Sequence, residues 1–407
     1  MTTTESPEQL ARRAFRSDWD ALSGVGRDAR SGGYRRFAWT GEDARLREWF
    51  VGRAAEVGLE VVSDRVNNLW AWTSDPDAAV SSGRPPLVLG SHLDSVPDGG
   101  AFDGPLGIVS AFAALDLLRA AGRAPARPVG IACFADEEGA RFGVACAGSR
   151  LLTGVLDPDR ARALTDVDGI SVAEAMAHAG VDPSIVGRDE ETLRRIGRFI
   201  ELHVEQGRAL IDNDAPVGVA SAIWPHGRWR LDLHGHADHA GTTRLQDRDD
   251  PMLRLATAVT TARESAERHG TVATIGKVQV LPNGVNAIPS QVIAWLDARG
   301  ADPDAVGRVV AEVSGATGAA AVEESWTPST DFDVSLRDRL ASLLGDVPVL
   351  ATGAGHDAGI LQAVGIPSAM LFVRNPTGVS HSPAEHAEEA DCVAGILALA
   401  QVIEELA

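Results

Sequence analysis

Two short apolar runs constrain this chain more than any other feature, because each ends abruptly in residues that bind protons or cations. PPLVLGSHLDS reads as a buried strand of a parallel sheet whose polar residues begin at His92 and Asp94. PVGIACFADEE reads as a second such strand, ending in Asp136, Glu137 and Glu138. Between them, Ile108 to Ala121 is apolar on several faces, as a crossover helix covered on all sides must be. Strands of one parallel sheet share an edge at their carboxyl ends, where open α/β sheets place their ligands. These acids and His92 are therefore expected in one place.

The remaining segments sort by period. Ala11 to Phe50 reads as a helix, a glycine-rich loop and a second helix capped by Thr40, and FIELHVEQG as a further strand. From Val217 the texture changes to alternation: VGVASAIW, GRWRLDLHG, a helix from Pro251 to Arg268, ATIGKVQV, QVIAWLDAR and a helix near Asp302 to Gly315. That sequence describes an α+β domain with an antiparallel sheet, placed at 213–329. Afterwards α/β texture returns, with a helix near Ser335 to Leu344, the loop TGAGHDA, a helix running to Val364, the strand SAMLFV and a last helix from Glu388. The expected fold is an α/β domain built from 1–212 and 330–407 with a smaller domain inserted.

Composition excludes several classes. Lys+Arg 37 against Asp+Glu 57 leaves a net charge of −20, which repels phosphate backbones and makes nucleic acid an unsuitable partner. The cysteines Cys133, Cys146 and Cys392 form no CxxC pair and no disulfide framework, so a reducing cytoplasm is expected. The opening MTTTESPEQL lacks the basic-then-apolar pattern of an export signal, and no run is long enough to span a membrane.

The chemistry follows from His and acid placement. His92 and Asp94 are two apart on a strand, so Asp94 can orient the imidazole by its far nitrogen. Asp103 follows in a glycine- and proline-rich turn that frees its carboxylate to face back. Glu137 and Glu138 in one apolar site repel each other unless a cation lies there. With His203, His356 and His381 in strand-end or glycine/serine contexts, the set suits two divalent ions sharing a carboxylate. One of Glu137 and Glu138 then binds metal while the other takes a proton from water; residue type alone does not say which. Each feature has a plainer reading, a solvated acidic loop or a satisfied core histidine, and only the set outweighs it.

GSHLDSVPDGGAFDGPLG, FADEEGARFG, ELHVEQG, GHADHAGTT, GVNAIPSQV, LDARG, TGAGHDA and GVSHSPAEH occur in this order along nearly the whole chain. Together they resemble the M20 metallopeptidase-like amidohydrolases, in particular the branch with allantoate amidohydrolase, N-carbamoyl-L-amino-acid hydrolase and beta-ureidopropionase. The resemblance implies a metallopeptidase-like catalytic domain with an inserted ferredoxin-like lid and dimerisation domain. It implies His92, Asp103, Glu138, His203 and His381 as ligands of two divalent ions, zinc or manganese with cobalt or nickel as alternatives, and Asp103 as the bridge. It implies Glu137 as general base and Asp94 as the acid orienting His92. Gln206, Asn286, Arg299, His356 and Gly355 match substrate-contacting positions, and His239 a residue that reaches the partner subunit's site in a homodimer.

The implied reaction is hydrolysis of the carbamoyl C–N bond of a small ureido acid, releasing ammonia and carbon dioxide. Allantoate comes first, then N-carbamoyl-L-amino acids, then acylated amino acids or peptides, then a non-catalytic metal-binding dimer. Two departures bear on substrate: Arg244-Leu245 after HAGTT, and Arg374-Asn375 in LFVRNPTG. His178, His226, His234, His236, His269 and His386 are assigned no role. Cys133 reads as a small buried apolar residue rather than a nucleophile.

Overall fold

Two buried six-residue strands rich in Val, Leu, Ile and Phe become the centre of a mixed sheet in the computed structural model, which describes residues 5–407. Met1–Thr4, the first residues of the stretch read for an export signal, lie outside the described residues. Across the sheet the strands run Glu60–Ser63, Leu69–Trp72, Val129–Phe134, Leu87–His92, Arg198–Val204, Ser368–Val373, Val217–Ile223 and Thr330–Asp331, with Val349–Thr352 also on Val217–Ile223. The middle four are mutually parallel, in registers that pair His92 with Phe134 and Phe372 with His203. Their carboxyl ends therefore share one edge, and the loops leaving that edge carry Asp94, Glu137, Gln206 and Arg374.

Helix Pro105–Ala120 supplies the crossover. It is buried almost throughout, sharing a core with Leu87, Leu89, Ile131, Ile200, Leu371, helix Pro7–Leu22 and helix Glu389–Leu406. Each of its large, fully buried apolar side chains, such as Phe112 and Ile108, contributes about 1.5–3 kcal/mol. The helix lies so close to the sheet that a Cβ on Gly107 would sit 2.3 Å from the Leu202 carbonyl oxygen. The second helix is Gly41–Glu56, capped as expected by the Thr40 hydroxyl accepting from the Asp43 N–H. Among the described residues no helix is long and apolar enough to cross a membrane.

The chain divides into two compact units, one running through Ser221 and resuming at Asp331, the other Ala222–Thr330. The inserted unit thus begins at Ala222 rather than at 213. Val217–Ile223 alternates like the strands that follow it, but it pairs antiparallel with Ser368–Val373 in the large sheet, Leu371 opposite Val219. Local pattern does not tell which sheet a strand joins. Within the second unit, the four long strands and two long helices follow in the order strand, helix, strand, strand, helix, strand. Its antiparallel sheet runs Ala321–Thr327, His226–His234, Gln291–Arg299, Val272–Leu281 across, the ferredoxin-like arrangement. Gln291–Arg299 buries every second residue, and Val292, Ala294 and Leu296 pack on helices Pro251–His269 and Pro303–Thr317. The edge strand Ala321–Thr327 was not anticipated, since it is largely exposed; its Trp326 packs on Trp229 with ring centroids 6.0 Å apart.

Candidate metal centre

Strand ends bring the first residues together. His92 closes strand Leu87–His92 and His203 lies one residue from the end of Arg198–Val204; both side chains are inaccessible to solvent. His92 Nδ1 faces the Asp94 carbonyl at 3.2 Å, and His203 Nδ1 faces the Val204 carbonyl at 2.9 Å. A carbonyl only accepts, so each Nδ1 carries the proton and each Nε2 presents a lone pair in the neutral ring. Those lone pairs converge on Asp103 Oδ1, 3.5 Å from His92 Nε2 and 3.1 Å from His203 Nε2, in no hydrogen-bonding geometry. Two lone pairs and a carboxylate oxygen facing one another in a buried space repel unless a proton or a cation lies among them.

Asp103 is reached from its other oxygen by a second set. His381 Nε2 is 3.4 Å from Asp103 Oδ2 and 3.5 Å from Glu138 Oε2. Two groups of potential ligands, His92–Asp103–His203 and Asp103–Glu138–His381, thus share Asp103. Glu201, His203 and His356 form a third group. The chemistry of the donors, imidazole nitrogen with carboxylate oxygen, fits one or two divalent cations.

Burial and neighbouring charge shift the proton affinities of these groups in opposite directions. Burial would raise the Asp103 carboxyl, but the charges of the neighbouring imidazoles of His203, His381 and His92 hold it well below the usual range. Burial lowers His92, yet Glu137, Asp103 and Asp94 push it well above 6.5. His381 is pushed up to about 9 by its hydrogen bond to Asp103, against burial. Glu138 is raised to about 7 by burial and by Asp103, and Glu137 well above 4.5, by burial first. A buried carboxyl with raised proton affinity beside a ligand cluster is suited to accept a proton from water.

Asp94 does two things at once. Its Oδ1 lies 3.4 Å from His92 Nδ1, and its two oxygens accept from the backbone N–H groups of Glu137 and Glu138 at 3.2 and 3.0 Å. One carboxylate therefore holds both the histidine ring and the corner that carries the glutamates. Gln206 donates its Nε2–H to Asp103 Oδ2 at 2.8 Å, so it braces the shared carboxylate, while its Oε1 is buried without a partner. His356 occupies the N-cap position of helix Asp357–Ala363 without a side-chain capping bond, its ring 4.6 Å from that of His203, and burial, reinforced by the charge of His203, holds it well below 6.5. Gly355 precedes it, with nothing within 4 Å of where a Cβ would stand.

The second unit carries His239, Asn286 and Arg299. His239 is exposed on a two-residue strand paired with Ala287, and its Nδ1 accepts from the Gly241 N–H at 3.0 Å, which leaves Nε2 as a donor. Asn286 is exposed beside it, its carbonyl accepting from Ala240. Arg299 already spans Asp297 at 2.6 and 2.9 Å. The two departures from the family pattern have local partners. Arg244 pairs with Asp247, Arg374 spans Asp391, and Asn375 closes a turn through the Thr377 and Gly378 N–H groups.

Two residues were missed by sequence reasoning. Glu385 accepts from the Phe102 and Asp103 N–H groups at 2.8 and 2.9 Å and from Ser380, fixing the loop that carries Asp103. It stands inside the quoted motif GVSHSPAEH, yet nothing in its residue type separates it from a solvated acid. Cys146 touches Glu137, and its spacing gives no signal at all.

The family model for peptidase family M20/M25/M40 matches residues 88–405. The chain is 34% identical to an N-carbamoyl-L-amino acid amidohydrolase of Geobacillus stearothermophilus, across 96% of this chain and 98% of that protein. It is 32% identical to an allantoate amidohydrolase of Escherichia coli K12, across 97% and 98%. A crystal structure of a hydantoinase/carbamoylase-family amidase from Burkholderia vietnamiensis superposes with a TM-score of 0.85 at 28% identity, covering 98% of this chain and 97% of that one.

Proposed function

The chain belongs to peptidase family M20/M25/M40, and from that premise we propose that it is a metal-dependent amidohydrolase cleaving the carbamoyl C–N bond of N-carbamoyl-L-amino acids. The observation that carries the metal dependence is the pair of buried, unpartnered Nε2 atoms of His92 and His203 aimed at Asp103. N-carbamoyl-L-amino acids are placed ahead of allantoate, which the motifs alone put first. The support is the Geobacillus relative at 34% together with solved relatives described as hydantoinase/carbamoylase-family amidases. Neither Arg244, the departure that suggested a contact to an acidic substrate, nor Arg374 makes a case for one, because Asp247 and Asp391 already pair with them.

His92, Asp103 and His203 would hold one cation, and Asp103, Glu138 and His381 a second. Divalent cations there supply positive charge that polarises a carbonyl and lowers the proton affinity of water. Glu137 removes a proton from the attacking water as its oxygen bonds to the carbamoyl carbon, then returns that proton to the departing nitrogen as the C–N bond breaks. Asp94 keeps both His92 and the Glu137 backbone in place through this cycle. The Nε2–H of His239 is a donor of the kind that stabilises a developing oxyanion. Substrate contacts are assigned to Gln206, Asn286, Arg299, Gly355 and His356, and dimerisation with His239 serving the partner's site is carried as part of the same proposal. The sum is one carbamoyl group and one water giving ammonia, carbon dioxide and the free amine.

The test is ammonia release by metal-free protein reconstituted separately with manganese and zinc, on N-carbamoyl-L-amino acids, allantoate and an N-acetyl amino acid in parallel. Preferential release from carbamoyl amino acids is expected. Preference for allantoate would keep the chemistry and change the substrate, and amine release from the acetyl compound alone would overturn the carbamoyl reading.

A further inference from the structure

Nine residues after Glu137 the chain turns back on it. The Cys146 N–H donates to the Glu137 carbonyl, and the Cys146 thiol donates to Glu137 Oε1 at 3.3 Å. Among the described residues the thiol is the one side chain recorded as donating to that carboxylate. The other oxygen, Oε2, is the one that lies 3.7 Å from His92 Nε2, on the side of the ligand cluster. Cys146 is 2% exposed and its backbone is fixed at φ 53° ahead of helix Ala147–Thr153, with the Ser149 hydroxyl 3.2 Å from its carbonyl. Burial pushes the thiol pKa well up, so the group stays an S–H donor and not a thiolate. The other two cysteines lie within the apolar core, and among the described residues neither thiol donates to a carboxylate.

A carboxylate in an apolar pocket can exchange its two oxygens by rotation unless one of them is held. A thiol is a weak donor, so it fixes the orientation without quenching the affinity for a proton. We propose that Cys146 is a positioning residue whose thiol holds Glu137 Oε1 and so presents Oε2 to the reacting water. This rests on the base role assigned to Glu137 above.

The test compares Cys146→Ala, Cys146→Gly and Cys146→Ser with the parent, Gly being included because it suits a positive φ. Ala and Gly are expected to lower kcat about tenfold with KM held within about twofold, the size of one modest hydrogen bond acting on the chemical step. Metal content should be unchanged, and Ser should recover most of kcat. Parent kcat in the Ala and Gly variants, or a Ser variant no better than Ala, would overturn the proposal. A second readout needs neither turnover nor a Cys146 variant. The infrared S–H stretch of the parent should contain one component shifted to lower frequency by its carboxylate acceptor, and Glu137→Gln should move it. An unshifted band, or one indifferent to Glu137→Gln, would overturn the proposal even if the hydrolytic reading held. A protein inactive on every carbamoyl substrate would sink the hydrolytic reading while the infrared comparison still decided the thiol contact.

Discussion

Asp94 shows how one side chain couples two parts of the centre, since it faces His92 Nδ1 and also holds the N–H groups of both glutamates. Asp94→Ala is therefore expected to weaken metal affinity by about 10–100-fold, measured by titration of metal-free protein, with a further loss of turnover once metal is saturating. Glu137→Gln should leave metal content intact while lowering kcat by roughly 10²–10⁴-fold, the range for a lost general base. Loss of bound metal in that variant would make Glu137 a ligand and contradict its assignment. The residues legible in the sequence were those at strand ends, His92, His203 and the Glu137–Glu138 corner, because strand geometry alone fixes where such side chains go. Glu385 and Cys146 were not, because their partners are backbone groups and a carboxylate met only after a loop returns, 282 and nine residues away in the chain.

At the scale of elements, the turn between Asp103 and helix Pro105–Ala120 packs directly against a ligand ring. Gly104 sits there at φ 85°, and a Cβ on it would lie 2.4 Å from His92 Cε1. Gly104→Ala should cost about 1–3 kcal/mol in stability, read by denaturant titration, and displace the His92 ring, lowering metal affinity in the same variant. Unchanged metal affinity would show that the ring has room the structure does not give it. Element type was well marked in the sequence wherever a period ran long, as in Pro251–His269 or Gln291–Arg299. Sheet membership was not. Val217–Ile223 joined the large sheet because a paired neighbour, Ser368–Val373, lies some 150 residues further along the chain, and no local pattern records that partner.

For the molecule as a whole, the cation-free centre ties stability to pH. Glu138 is raised from 4.5 to about 7 by burial, and His381 from 6.5 to about 9 by Asp103. Both groups bind protons more tightly folded than unfolded, so their contribution is present below the unfolded values and is lost as pH rises through the folded ones. Metal-free protein should therefore lose Tm as pH rises from about 4.5 to 9 through these groups, and saturating divalent cation should raise Tm most at the upper end, where it replaces the missing protons. Thermal scans with and without chelator across that range check the sign. A cation effect that is the same at every pH would mean that these residues are not the ligands. The most direct measurement is a titration of chelator-treated protein with manganese while ammonia release from an N-carbamoyl-L-amino acid is followed. Turnover is expected to be absent without cation and to saturate by two bound ions per chain. Ammonia release at full rate in the cation-free protein, or full occupancy of the centre with no ammonia from any carbamoyl substrate, would contradict a metal-dependent carbamoyl hydrolase.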